Sequence, residues 1–156
     1  MGFVIVLLFI ALFIGAIASL LKGNLNPKRF TYSKNEYILT KAEASFDGVL
    51  NQAIGHRFRI CPKVRIADVL KPTPFSLPAF NAIAQKHFDW IITDPNTSAI
   101  LCAIELDDST HDMLKARKRD TFVNDACKTS GLKLVRFTAK RSYSIQEVSK
   151  AILTPA

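Results

Sequence analysis

Phe88-Asp89-Trp90-Ile91-Ile92-Thr93, then Asp94-Pro95-Asn96-Thr97-Ser98, then Ala99-Ile100-Leu101-Cys102-Ala103-Ile104-Glu105-Leu106-Asp107 is the stretch that decides how this chain is read. Two apolar runs flank a segment of turn formers, the pattern of a hairpin of buried strands. Carboxylates are rare in such runs because an unpaired charge loses its hydration on burial. Asp89 and Glu105 are there nonetheless. A tight fold about Asn96 sets Asp89 opposite Ala103, with Glu105 diagonal to it. Side chains alternate with period two, so Asp89, Glu105 and Asp107 share one face. Three acids at one end of a hairpin suit a hard divalent cation. A salt-bridged surface at the sheet end is the structural alternative.

The flanking segments supply the rest of a layer. Upstream, Thr40-Lys41-Ala42-Glu43 has the form of a capping box. It opens a helix with an apolar stripe of Ala42, Phe46, Val49, Leu50, Ala53 and Ile54, ended by Gly55. Phe58 to Ile66 reads as a strand interrupted at Pro62, followed by a short turn through Ala67-Asp68-Val69-Leu70. Pro72, Pro74 and Pro78 make Lys71 to Ala84 a surface loop. Downstream, Ser109-Thr110-His111-Asp112 resembles a helix start, and Gly131 stops that helix. Leu132 to Phe137 is an apolar strand, and Ser144-Ile145-Gln146-Glu147 caps a final helix. The predicted fold is a mixed α/β layer around a small central sheet.

A length of 156 residues bounds the chain to one domain plus an appendage. Phe3 to Leu21 carries no charge and reaches the ~20 residues that span a bilayer as a helix. Ala16-Ile17-Ala18 keeps a cleaved signal peptide as the competing reading. No Lys or Arg precedes the apolar run, whereas Lys22, Lys28 and Arg29 follow it. That asymmetry predicts a retained single-pass anchor in the inner membrane, with the C-terminal domain cytoplasmic. The predicted divisions are an anchor over 1–22, a linker over 23–38 and a folded domain over 39–156. All 21 basic and 13 acidic residues follow the apolar run, for a net charge of +8. Such an excess favours a polyanionic partner, nucleic acid or anionic lipid, although topology and solvation account for part of it. Three widely spaced cysteines without a CxxC pair read as small buried hydrophobes in a reducing compartment.

Taken together, Leu39-Thr40-x-x-Glu43-x-x-Phe46, Val64-Arg65-Ile66-Ala67-Asp68-Val69-Leu70, Lys86-His87-Phe88-Asp89, Ile104-Glu105-Leu106-Asp107-Asp108-x-x-His111 and Arg119-Asp120 resemble the domain of unknown function 2726. That family is similar to the PD-(D/E)xK phosphodiesterases, near the very-short-patch repair endonucleases. The resemblance covers about Leu39 to Phe137. It implies a restriction-endonuclease-like α-β-β-β-α-β core with a mixed central sheet, here preceded by the N-terminal transmembrane helix. It also implies Mg²⁺ or Mn²⁺ as cofactor, with Asp89 and Glu105 matching the metal-binding acids. Asp107 stands where the superfamily usually has Lys. An acid there can bind the cation or accept a proton from water, but it cannot supply positive charge.

That charge has candidates on the helix after the hairpin. Phe122, Val123, Ala126 and Cys127 define its buried arc. Lys115 and Arg119 fall within or beside that arc, where they either reach a scissile phosphate or snorkel over the core edge. The resemblance includes Arg119. Lys86 lies near the same hairpin end with opposite strand parity. Glu43 is a further acid for the metal site, though its cap role explains it equally and the two roles would compete. His111 is a proton shuttle, a phosphate contact or a structural residue. His56 and His87 read as structural, and Asp94 as a turn residue.

The function expected from these residues is a membrane-anchored, metal-dependent nuclease acting on nucleic acid, DNA ahead of RNA. The alternative is a nuclease-fold module that binds nucleic acid or a protein partner without cutting. A weaker third reading is peripheral lipid binding through Lys22, Lys28 and Arg29. The oligomeric state is left open.

Overall fold

A computed structural model describes residues 1–22, 30–107 and 113–155; at residues 18, 20–22 and 113–120 it describes the backbone alone. The chain divides into two units, Met1–Glu36 and Tyr37–Ala156.

The first unit contains helix α1, Gly2–Lys22. The expected transmembrane helix is corrected here: among the described residues, no helix is long and apolar enough to cross a membrane.

The second unit is a mixed α/β layer. After α2 (Lys41–Ile54) come β1 (Arg59–Arg65), the short α3 (Ile66–Val69), α4 (Leu77–Ala84), β2 (His87–Thr93), β3 (Ile100–Asp107), α5 (Met113–Ser130), β4 (Leu134–Thr138) and α6 (Ile145–Leu153). The strands form one sheet in the order β1-β2-β3-β4. β1–β2 and β2–β3 are antiparallel, and β3–β4 is parallel. With α3 and α4 inserted after β1, this is the expected α-β-β-β-α-β order.

Apolar clusters cover both faces of the sheet, which is why β2 and β3 read as continuous apolar runs. On one face Phe46, Leu50 and Ile54 of α2 and Val148 and Ile152 of α6 pack on Trp90, Ile92, Cys102, Ile104 and Val135. On the other, Ile66 of α3, Ile83 of α4 and Val123 and Cys127 of α5 pack with Phe88, Ile91 and Ala103. Each fully buried large side chain contributes about 1.5–3 kcal/mol. Phe46 is the hub of the first cluster, its ring centroid 5.4 Å from Trp90, 4.9 Å from Phe137 and 4.8 Å from Tyr143. The indole N–H of Trp90 donates to Asp47 Oδ1 at 2.8 Å, so the one polar atom of that ring is satisfied in the core.

Local chemistry sets the boundaries. Thr40 and Glu43 form the predicted capping box of α2. Gly55 ends that helix with an ordinary right-handed φ of −60°, so left-handed freedom is not its reason. A Cβ there would stand 2.6 Å from the Asn51 carbonyl oxygen. Gly131, with φ +70°, does need that freedom: its N–H reaches Lys128 O and the Leu132 N–H reaches Cys127 O, closing α5. The expected surface loop over 71–84 is half wrong. Ser76 accepts from the Ala79 N–H, and Pro78 falls in the first turn, where a missing N–H costs nothing, so α4 is formed. Lys133 donates through Nζ to the carbonyls of Ala151 (3.0 Å), Ile152 (2.7 Å) and Thr154, capping the last turn of α6.

The hairpin is longer at its tip than expected. Asp94 Oδ1 accepts from the backbone of Asn96 and Thr97 and from the Thr97 hydroxyl, while Ser98 takes φ +60°. The ladder slips between Ile92 and Thr93, so Ala103 pairs with Ile91 rather than Asp89. Continuing that register past Trp90↔Ile104 places Glu105 opposite Asp89.

Candidate active site

One end of the sheet gathers the start of β2, the ends of β1, β3 and β4, and the first turn of α2. Asp89 and Glu105 are both buried there, 8% and 6% exposed.

Asp89 is met by two donors. Lys63 Nζ reaches its Oδ1 at 2.9 Å, and the Leu106 N–H reaches its Oδ2 at 3.0 Å. The same ammonium reaches Glu43 Oε1 at 2.7 Å. Glu43 Oε2 meanwhile accepts from the Thr40 N–H at 2.9 Å. The cap and site roles of Glu43 therefore do not compete, because its two oxygens divide them. Burial alone would lower the Lys63 pKa, but hydrogen bonds and charge from Glu43 and Asp89 outweigh it and hold the ammonium above its ordinary 10.5.

Lys63 was not among the residues singled out by the sequence. It comes directly after Pro62 in β1, which reads as a break, and its backbone is the unusual feature: φ +53° inside a strand. Pairing runs Pro62↔Trp90 and Val64↔Phe88, so Lys63 stands at the register position of Asp89. The pleat changes phase there. Trp90 packs with α2 and α6, yet Phe88, two residues away, packs with Val64 on the opposite face. The left-handed backbone at Lys63 falls at that change of face, and its ammonium reaches Glu43 and Asp89.

Asp107 belongs to a second pair. Arg136 donates through its guanidinium to Asp107 Oδ1 at 2.5 Å and through Nε to Asn124 at 3.1 Å. Arg136 also pairs by register with Glu105 across the parallel β3–β4 ladder. On α5, burial first, and then the Glu105 charge, push the Cys127 thiol up to about 11. Arg136 was also missed, although a lone base between buried Val135 and half-buried Phe137 breaks the same rule that drew attention to Asp89.

Lys115 and Arg119 lie on α5, but their side chains are outside the described residues, and so is His111 altogether. Lys86 is turned elsewhere: its Nζ donates to Ala82 O at 2.5 Å and sits 5.0 Å from the Phe122 ring centroid. Among the described residues, no group of three His, Cys, Asp or Glu is placed to hold a metal ion. Asp89 and Glu105 still suit a small hard cation in kind, since Mg²⁺ uses one or two carboxylates and completes its shell with waters and substrate oxygens.

A family model described as "Protein of unknown function (DUF2726)" matches residues 35–155, and the chain belongs to that family. No curated protein and no solved structure matches the chain.

Proposed function

We propose that this member of the DUF2726 family is a nuclease-like domain that hydrolyses phosphodiester bonds of nucleic acid, DNA ahead of RNA. The observation that carries the reading is the burial of two carboxylates, Asp89 and Glu105, at one sheet end beside two of the chain's own cations, Lys63 and Arg136. Buried acids with specific charge partners at the end of a sheet are the arrangement in which catalytic carboxylates are found. The net charge of +8 suits a polyanionic substrate.

Asp89 and Glu105 would hold Mg²⁺ or Mn²⁺, which when bound supplies a polarised water and positive charge beside the phosphate. The chain's own groups do the rest. The Lys63 ammonium and the Arg136 guanidinium bring the positive charge that Asp107 cannot. Asp107 and Asn124 hold the guanidinium between them, so in this reading Asp107 is a positioning residue.

The test is to incubate the full chain with single- and double-stranded DNA and with RNA in Mg²⁺ or Mn²⁺. Cleavage is expected, and Asp89→Asn or Glu105→Gln should reduce it about 100-fold or more. Absence of cleavage on every substrate, or variants equal to the parent, refutes the reading.

A second reading is a nuclease-fold module that binds without cutting. It is favoured by the engagement of both Asp89 oxygens and both Glu43 oxygens by protein donors. It requires salt-sensitive nucleic-acid binding that survives Asp89→Asn and ignores chelators.

A further inference from the structure

We propose that Lys63 is a tethered counter-ion that guards the carboxylates of Asp89 and Glu43 against divalent cations until a phosphate group draws its ammonium away. The inference deepens the proposed nuclease function and rests on it, because it concerns how that site admits its ion.

The ammonium lies between two carboxylates, 2.7 Å from one and 2.9 Å from the other. One of these oxygens, Asp89 Oδ1, belongs to a carboxylate that would hold the ion, and Glu43 is the acid on its other side. The acids are more enclosed than the base, with side chains 13% and 11% exposed against 29% for Lys63. The carboxylates are thus fixed, whereas the ammonium has an open side toward water. Glu43 is pinned through Oε2 to the α2 N-terminus and Asp89 through Oδ2 to the β3 backbone. Loss of Lys63 from the site would leave both acids in place with one oxygen each facing the gap.

The backbone points the same way. Among the described residues only Lys63 and Ser98 are non-glycines with positive φ, and Ser98 belongs to the hairpin turn. Lys63 has no turn to explain it. A non-glycine in this region persists only where surrounding contacts enforce it, and such residues cluster at functional sites. Pairing on either side, Pro62↔Trp90 and Val64↔Phe88, holds the backbone there, and the ion pairs give the side chain its place.

A lysine ammonium and a divalent ion compete for the same oxygens. Phosphate oxygens offer Lys63 another partner, so nucleic acid and metal should each favour binding of the other. The site would then charge with metal chiefly when substrate is present.

Titration of Mn²⁺ into the full chain, followed by the fluorescence of the single tryptophan, Trp90, tests this. Lys63→Met and Lys63→Gly should bind Mn²⁺ about tenfold tighter than the parent without nucleic acid, since a competing positive charge is gone. Asp89→Asn added to either should abolish the gain. A non-hydrolysable oligonucleotide should tighten Mn²⁺ binding by the parent and leave the Lys63→Met protein little changed. Equal Mn²⁺ affinity in the parent and both Lys63 variants overturns the guard while leaving the nuclease reading intact. Tighter binding by the variants with no effect of oligonucleotide on the parent overturns the release by phosphate. Failure of every protein to bind Mn²⁺ overturns the metal site and the guard together.

Discussion

Replacing Lys63 separates two opposed contributions that meet at one residue. Its ammonium makes two charge-assisted hydrogen bonds, each worth about 1.5–3 kcal/mol. Its φ of +53° costs a non-glycine residue about 1–2 kcal/mol. Lys63→Met loses the first and keeps the second. Lys63→Gly loses both, but glycine gives back about 0.5–1 kcal/mol through the greater freedom of its unfolded chain. The glycine protein should therefore be the more stable of the two by up to about 1.5 kcal/mol, the reverse of the order at an ordinary strand position. Both should be less stable than the parent, because Glu43 and Asp89 are left facing each other without a cation. Urea unfolding followed by Trp90, which is fully buried, reads all three midpoints. The slopes should agree among the three proteins, so that midpoints can be compared directly. A methionine protein as stable as the glycine protein, or more so, refutes the account of backbone strain at Lys63.

Three further outcomes are expected. Phe46→Ala empties the hub of the aromatic cluster and should cost about 3–5 kcal/mol, seen as a large fall in thermal midpoint. The raised Lys63 pKa means that its stabilisation is fully present below the unfolded value near 10.5 and is lost as pH rises through the higher folded value; a stability profile taken above pH 10 should fall in the parent and flatten in Lys63→Met. Burial first, opposed in part by the Lys133 charge, raises the Cys102 thiol to about 11, and Cys127 stands at about the same value, so at pH 8 only the half-buried Cys61 should react quickly with an alkylating reagent, as mass spectrometry of the native chain would show.

Much of this architecture was legible because it rests on local rules. The capping box at Thr40–Glu43, the stop at Gly131 and the cap at Ser144 depend on neighbours within a few residues, and each is found. The helix at Leu77–Ala84 was missed because three prolines outweighed the Ser76 cap, although Pro78 sits where a helix tolerates it. The site was half legible. A carboxylate in an apolar strand is a strong anomaly, and Asp89 and Glu105 were found by it. Their partners were not, for two different reasons. Lys63 is aimed by a left-handed backbone that no alternation pattern predicts. Arg136 could have been found, since the same anomaly applies to a base in β4. The acids of the hairpin are divided between two cations, Arg136 engaging Asp107 and Lys63 engaging Asp89.

The backbone at Pro62 and Lys63 has a second consequence, at the outer side of β1. That strand is an edge of the sheet, and an edge ordinarily offers a row of N–H and C=O groups on which another chain can assemble. Pro62 has no N–H to offer, and the next residue turns the chain out of the extended conformation. An incoming strand would find the row broken in the middle. The same two residues that place an ammonium among the acids thus keep the sheet from growing into its neighbours.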